Sequence, residues 1–320
     1  MTGRVSVVVR TKNRPVLLRR ALADILGQSY EDTAIVVVND GGDRAPVEAL
    51  AAEHHHHLAD GRLTVIHHEA SLGMEAASNA GVLAGTSEFV AIHDDDDRWH
   101  RDFLAKTVGR LNAKPHAHGV AVRTEIAYEE IRGDAIVQTG SMPYHPQLQT
   151  ITLTDMLRVN LIVPISFLYR RSVHDEIGMY NEELDAVGDW EFYLRFLQAH
   201  PMELLDSSEP LAFWCQRPSD RGDMGNSVIA SATAHDKFDG LVRDAFLRRE
   251  AGTVGLGTML YLARMNEQQQ ADADAARVQV EELNRRIAAL EETVIRRTSV
   301  GELLRRPTQL TLGLFRKGQH

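Results

Sequence analysis

His93-Asp94-Asp95-Asp96-Asp97 sets four carboxylates in a row directly after an apolar segment, Phe89-Val90-Ala91-Ile92. Like charges so close repel, and the array is costly unless a cation or solvent screens it. Mg2+ and Mn2+ prefer oxygen ligands of this kind and bridge them to a diphosphate. A solvated acidic turn capping the next helix is the competing reading, since Asp is a favoured cap. The position after a buried strand favours the site, because open α/β sheets bind ligands at the carboxyl ends of their strands. Asp40 closes another apolar run in Asn39-Asp40-Gly41-Gly42. There its carboxylate could accept hydrogen bonds from a pyrimidine N–H or a ribose hydroxyl, or simply serve a turn. Asp189, in Gly188-Asp189-Trp190-Glu191, opens an amphipathic stretch. A carboxylate there can point into a cleft and take a proton from a hydroxyl, or merely favour the helix dipole. Thr11, Lys12, Asn13 and Arg14 end the first apolar run and could line the same cleft.

Such residues need a frame that gathers strand ends. Val5 to Val9 reads as a buried strand, and a helix follows from Pro15 with Leu18, Leu22, Ile25 and Leu26 on one face. Ala34 to Val38 is a second strand, and a helix runs through Val47 and Leu50. Leu63 to Ile66 is a third strand, Gly73 to Leu83 a short helix, and Phe89 to Ile92 a fourth strand. Continuous apolar strands separated by helices imply a mainly parallel sheet covered on both faces, with right-handed crossovers. From about residue 113 to 215 the pattern is less regular. Gly119 to Val122 and Ile165 to Tyr169 read as strands, Leu153 to Val159 and Trp190 to Leu197 as helices.

Composition fits a soluble globular protein, with 43% hydrophobic and 25% charged residues among 320. A formal net charge of -10 argues against nucleic acid as a partner. One cysteine, Cys215, allows no internal disulfide framework. No apolar signal region precedes the first strand, and no run approaches a spanning helix. The expected location is the cytoplasm, or the inner face of a cell membrane.

Taken in order, these segments resemble family 2 glycosyltransferases of the GT-A fold. The matching pieces are Val5 through Pro15, Val36 through Gly42, Gly73 through Gly81, Phe89 through Trp99, and Gly188 through Arg195. The resemblance implies a GT-A domain over 1–220, with a nucleotide-sugar-binding half over 1–112 and an acceptor-side half over 113–220. It implies an inverting transferase that takes a UDP-, dTDP- or GDP-sugar and adds the sugar to a glycan or glycolipid hydroxyl. By the same resemblance Asp40 meets the base, and Thr11, Asn13, Arg14, Asn79, Asp94 and Asp95 contact the nucleotide. Asp94 and Asp96, with Asp97 a second choice, would hold Mn2+ or Mg2+. Asp189 would be the catalytic base and Glu191 its fallback. Trp99, just past the acidic run, is the best stacking candidate for an acceptor sugar, with Trp190 behind it.

Three positions depart from the family. Ser78 stands where Arg is usual, and Gly188 where Glu is common before Asp189. Phe213-Trp214-Cys215-Gln216-Arg217 lacks the expected metal-ligating His, for which Asp223 or Asn226 might substitute. His54 to His57 reads as an exposed helix end, since useful helical ligands are spaced by three or four. Cys215 reads as a core thiol. Two rival readings remain: a nucleotidyltransferase, disfavoured because Thr11-Lys12-Asn13-Arg14-Pro15 has no glycine, and a non-catalytic assembly subunit.

The last hundred residues, 221–320, read as a helical extension. Ala273, Ala276, Val280, Leu283, Ile287, Leu290 and Val294 alternate spacings of three and four, a heptad seam over about 270–295. That seam predicts a homo-oligomer. Arg296, Arg297, Arg305, Arg306, Arg316 and Lys317 make a basic tail that could lie on an anionic membrane.

Overall fold

The computed structural model describes residues 5–133, 135–207, 209–217 and 232–304. The first strand, β1 (Val5–Thr11), is buried along its whole length. α1 (Pro15–Leu26) starts on its proline and turns Leu18, Leu22 and Ile25 inward. β2 (Thr33–Asp40), α2 (Arg44–Glu53), the short α3 (His55–Ala59), β3 (Leu63–His68), α4 (Met74–Ala84) and β4 (Phe89–Asp94) follow. Next come β5 (Arg98–Trp99), α5 (Phe103–Ala113), β6 (Gly119–Val122), β7 (Thr124–Arg132), β8 (Ala135–Pro143) and α6 (Leu153–Met156). β9 (Phe167–Arg170), α7 (Val173–Ile177), α8 (Gly188–Ala199), β10 (Glu203–Leu205) and β11 (Ala212–Gln216) complete the set.

The main sheet has seven strands in the order β10-β6-β9-β4-β1-β2-β3. All its neighbours are parallel except β9, which runs antiparallel to both β4 and β6. Period-two alternation assigns its faces. Val5, Val7 and Val9 join α1, α2 and α5 in one core with Leu18, Leu50 and Phe103. Val8 faces the other way, against α4, where Gly81 leaves no room for a side chain: a Cβ there would lie 2.2 Å from Val8. Arg10 shares that second face by the same alternation. The mixed, mainly parallel α/β architecture is therefore the one expected.

A second sheet, β5-β11-β7-β8, was not anticipated. Its β7–β8 hairpin and two-residue β5 lie in the stretch whose pattern is irregular.

The chain divides into two compact units, Met1–Asp244 and Ala245–His320. The first reaches past the expected border at 220 because the helix Ala232–Val254 buries Phe238 and Val242. The second contains the helix Leu256–Leu304, 49 residues long. Val280, Leu283, Ile287, Leu290 and Val294 are exposed along it. Asp223, Asn226 and the basic tail from Arg305 onward lie outside the described residues. Among the described residues no helix is long and apolar enough to cross a membrane.

Candidate active site

Three parallel strands deliver acids or their partners to one edge. Thr11 ends β1, Asp40 ends β2 and Asp94 ends β4, and the β1–β4 register sets Arg10 directly opposite Asp94. The two side chains form a bidentate pair: Arg10 Nε donates to Asp94 Oδ1 at 2.7 Å, and Nη2 to Oδ2 at 2.8 Å. Arg10 Nη1 donates to the Ser78 hydroxyl at 3.1 Å. Three of the four aspartates are thus paired with arginine. Arg14 pairs with Asp95 at 2.6 Å, and Arg217, fully buried, with Asp96 at 2.6 Å. Behind them Arg20 makes a bidentate pair with Glu129, and its Nη2 donates to the Asp96 carbonyl at 2.6 Å.

The four carboxylates do not share one role. Asp95 is fully buried, accepting from Thr11 Oγ1 at 2.6 Å and from Arg14. Burial and the charge of Asp96 push its carboxyl up, against the pull of Arg14. Asp97 is turned inward and accepts the Cys215 amide at 2.8 Å. Burial raises it well above the usual range. Thr11 and Asp95, expected at the nucleotide, thus bond each other, and Asp97, expected as a metal ligand, is turned inward. Asp94 and Asp96 keep partly exposed side chains, at 20% and 11%. Burial opposes the charge of Asp96, but Arg14 and Arg217 outweigh it and hold the carboxyl low. Two oxygen-only side chains at a strand end fit a hard divalent cation. Each would have to share its oxygens with arginine.

Asp40 is saturated. Its Oδ1 accepts from the Leu72 amide at 2.8 Å and sits 2.7 Å from His68 Nδ1. Its Oδ2 accepts from Ser71 and from the Gly73 amide. The bonds outweigh burial and lower its pKa. Asp40 therefore moulds the loop after β3. Gly41 assists: its φ is +73°, and a Cβ there would lie 2.3 Å from the Ser71 nitrogen. Asn13 is exposed, with φ +56°, and its Oδ1 accepts the Asp43 amide at 2.9 Å.

On the facing side, Asp189 stands in the first turn of α8. Asn160 Nδ2 donates to its Oδ2 at 3.0 Å. Burial raises its pKa; the Trp190 amide, Asn160 and Arg10 oppose that, while Asp94 adds to it. The preceding Val187 holds φ +58°, a left-handed conformation strained for a β-branched residue. Gly188 is a glycine for a visible reason. A Cβ there would lie 2.5 Å from Cγ, Cδ and Oε1 of Glu75.

Glu75 was not singled out from the sequence. It lies in the first turn of α4, is 3% exposed, and its buried Oε2 has no hydrogen-bond partner. Burial pushes its carboxyl up to about 8; Arg10 opposes this, while Asp189, Asp94 and Glu191 reinforce it. Arg10, Arg217 and Glu129 were also missed. A charged residue ending a valine run was the one visible hint for Arg10.

Four further expected site residues make their contacts within the fold. Asn79 is spent on the protein, its amide bonding Tyr180 in both directions and Glu182 at 2.7 Å. Glu191 is paired with Arg195 at 2.7 Å, so it is no free base. Trp99 is 3% exposed, stacks on Phe103 and donates its indole N–H to the Ile165 carbonyl. Trp190 is equally buried, and its indole donates to the Met156 carbonyl. Neither tryptophan offers a face to a sugar.

Residues 6–178, more than half of the chain, match the model of glycosyl transferase family 2. The chain belongs to that family. It is a glycosyltransferase of the EC 2.4 class. An uncharacterized glycosyltransferase of Bacillus subtilis, YwdF, is 28% identical over 257 residues, 80% of this chain and 86% of that protein. Among solved structures, S. aureus TarS in complex with UDP-GlcNAc aligns with TM-score 0.54 and 17% identity, over 78% of this chain and 73% of that one. Mannosyltransferase PcManGT from Pyrobaculum calidifontis, in complex with GDP-Man and Mn2+, aligns with TM-score 0.50 and 19% identity, over 84% and 81%. These likenesses show the GT-A-type fold.

Proposed function

We propose that this family 2 glycosyltransferase moves a sugar, with inversion, from a nucleotide-diphosphate sugar to a hydroxyl acceptor, with Asp189 as the general base. The observation that carries the reading is Asp189 in the first turn of α8, its carboxylate oriented by Asn160, where Gly188 lets the helix start against Glu75 of α4. Asn160 donates to Oδ2 and orients the carboxylate. The acceptor O–H gives its proton to Asp189 as its oxygen bonds to the anomeric carbon. The bond from that carbon to the diphosphate breaks, and the diphosphate leaves with the electron pair. A carboxylate made more basic by burial suits this step. Glu75, which burial pushes up to about 8, packs its carboxyl against Gly188 behind this base.

Asp94 and Asp96 would hold Mn2+ or Mg2+, which when bound neutralises diphosphate charge. A second reading has specific support: Arg14 and Arg217 already neutralise Asp96. In that case arginine alone would meet the diphosphate. The proposed acceptor is a surface polysaccharide, O-antigen or glycolipid, reached in the cytoplasm or at the inner membrane face. Nucleic acid is no part of the reading, given the net charge of -10.

The test is calorimetry with UDP-, dTDP- and GDP-sugars, with Mn2+ and with chelator, on wild type, Asp96→Ala and Asp189→Asn. One donor should bind, and Asp189→Asn should keep that binding while transfer falls about a thousandfold or more. Full transfer by Asp189→Asn removes the base. Donor binding that survives chelation favours the arginine reading.

A further inference from the structure

Remote from the cleft, three segments bring metal-binding side chains together. His118 immediately precedes β6, Glu176 lies on α7, and His200 caps the end of α8. β6 runs in the same direction as β4, through the antiparallel β9 between them. Its start therefore lies at the end of the sheet opposite the acidic run. α8 makes the same point, since Asp189 and His200 sit at its two ends, about 16 Å apart at 1.5 Å per residue.

The two imidazoles stack with centroids 3.8 Å apart and planes 25° from parallel. His200 Nε2 lies 3.1 Å from Glu176 Oε2. One ligand atom from each residue falls within 4.8 Å of the others. His118 Nδ1 is a buried atom without a hydrogen-bond partner, and buried His200 Nε2 meets only Glu176 Oε2, at 3.1 Å and without hydrogen-bonding geometry. Two such nitrogens facing one carboxylate are poorly served by protons, because two imidazolium rings at this distance repel. Burial, then His200, lowers the pKa of His118, which favours the neutral, ligating form. Two neutral imidazoles and one carboxylate are a familiar donor set for Zn2+ and its neighbours, with water in the fourth position.

We propose that His118, Glu176 and His200 form a divalent transition-metal site, suited to Zn2+, that ties the start of β6 to α7 and the end of α8. The donors are mostly nitrogen, unlike the all-oxygen acidic run, so the two sites differ in preferred metal. The proposal is independent of the catalytic reading.

The experiment uses Zn2+ and Co2+ alone, with the full chain carrying His54→Ala, His55→Ala, His56→Ala and His57→Ala to remove the exposed histidine run. One equivalent of Zn2+ should bind, and Co2+ should give the visible absorption of a four-coordinate ion. Glu176→Gln, at a half-exposed position, should keep the fold and weaken binding about tenfold or more. His118→Ala and His200→Ala should abolish the Co2+ band, and Asp94→Asn should leave it intact. Zn2+ affinity unchanged by all three substitutions in the cluster overturns the proposal. So does a Co2+ band that disappears only in Asp94→Asn, which would put the ion in the cleft.

Discussion

Glu75 holds an acid where water does not reach, and that has a measurable consequence. Its ordinary value of 4.5 is pushed up to about 8 by burial, so between those values the folded chain keeps a proton that the unfolded chain has lost. The neutral acid is favoured in the fold. Its contribution is fully present below about 4.5 and is lost as pH rises toward 8, by about 1.4 kcal/mol per pH unit. Glu75→Gln removes this dependence. Denaturant unfolding should show the variant gaining on wild type steadily from pH 5 to pH 8, with no gain at pH 4. A difference that is flat with pH would show Glu75 to be ionised in the fold. None of this was legible in the sequence, where nothing singles Glu75 out. The acidic run, Asp40 and Asp189 were legible, because each ends or begins an apolar element. Their partners were not: Arg10 and Asp94 are 84 positions apart, and only the register of β1 on β4 brings them together. Likewise the turn after β4 sends Asp95 and Asp97 inward and leaves Asp94 and Asp96 partly exposed, which a row of four identical letters does not reveal.

The start of α8 is the element on which the site turns. Left-handed Val187 and side-chain-free Gly188 allow the helix to begin against Glu75 of α4, with Asp189 in its first turn. Gly188→Ala should cost about 1–3 kcal/mol, because its Cβ must displace the Glu75 side chain. Glu75→Ala vacates that space. The double variant should therefore recover most of the loss, with a coupling above about 0.5 kcal/mol in a double-mutant cycle by urea unfolding. Strict additivity would mean that the two residues do not share the space. At this scale the strands and helices of the main sheet follow from their apolar periodicity. The second sheet does not, for physical reasons. β5 is two residues long, and β8 is largely exposed and lacks an inward apolar face. β11 is assigned only by pairing with β5 and β7, far from it in sequence.

At the scale of the whole chain, the second unit poses the clearest energetic question. Its long helix carries Val280, Leu283, Ile287, Leu290 and Val294, each more than half exposed and in heptad spacing. Charged and polar residues separate most of these positions, and Val278 and Ile295 are exposed beside them, so the helix carries an apolar seam on its surface. An isolated seam of this kind is a liability in water and a sound basis for pairing with another copy. Charges flank it, and Arg285 bonds Glu282 three residues away at 3.2 Å, an exposed pair that adds little by itself. Association should therefore depend on the seam, not on its ion pairs. Leu283→Glu with Leu290→Glu places two charges in the seam without touching the first unit. Sedimentation should show wild type as an oligomer whose mass falls to that of one chain in the double variant. High salt should leave the wild-type oligomer intact, since apolar burial holds it. Transfer measured under saturating donor should persist in the monomer, because every residue assigned to the cleft lies before Asp244. A monomeric wild type at all concentrations would rule out self-pairing along the seam. Loss of transfer together with loss of oligomer would mean that the cleft needs the assembly.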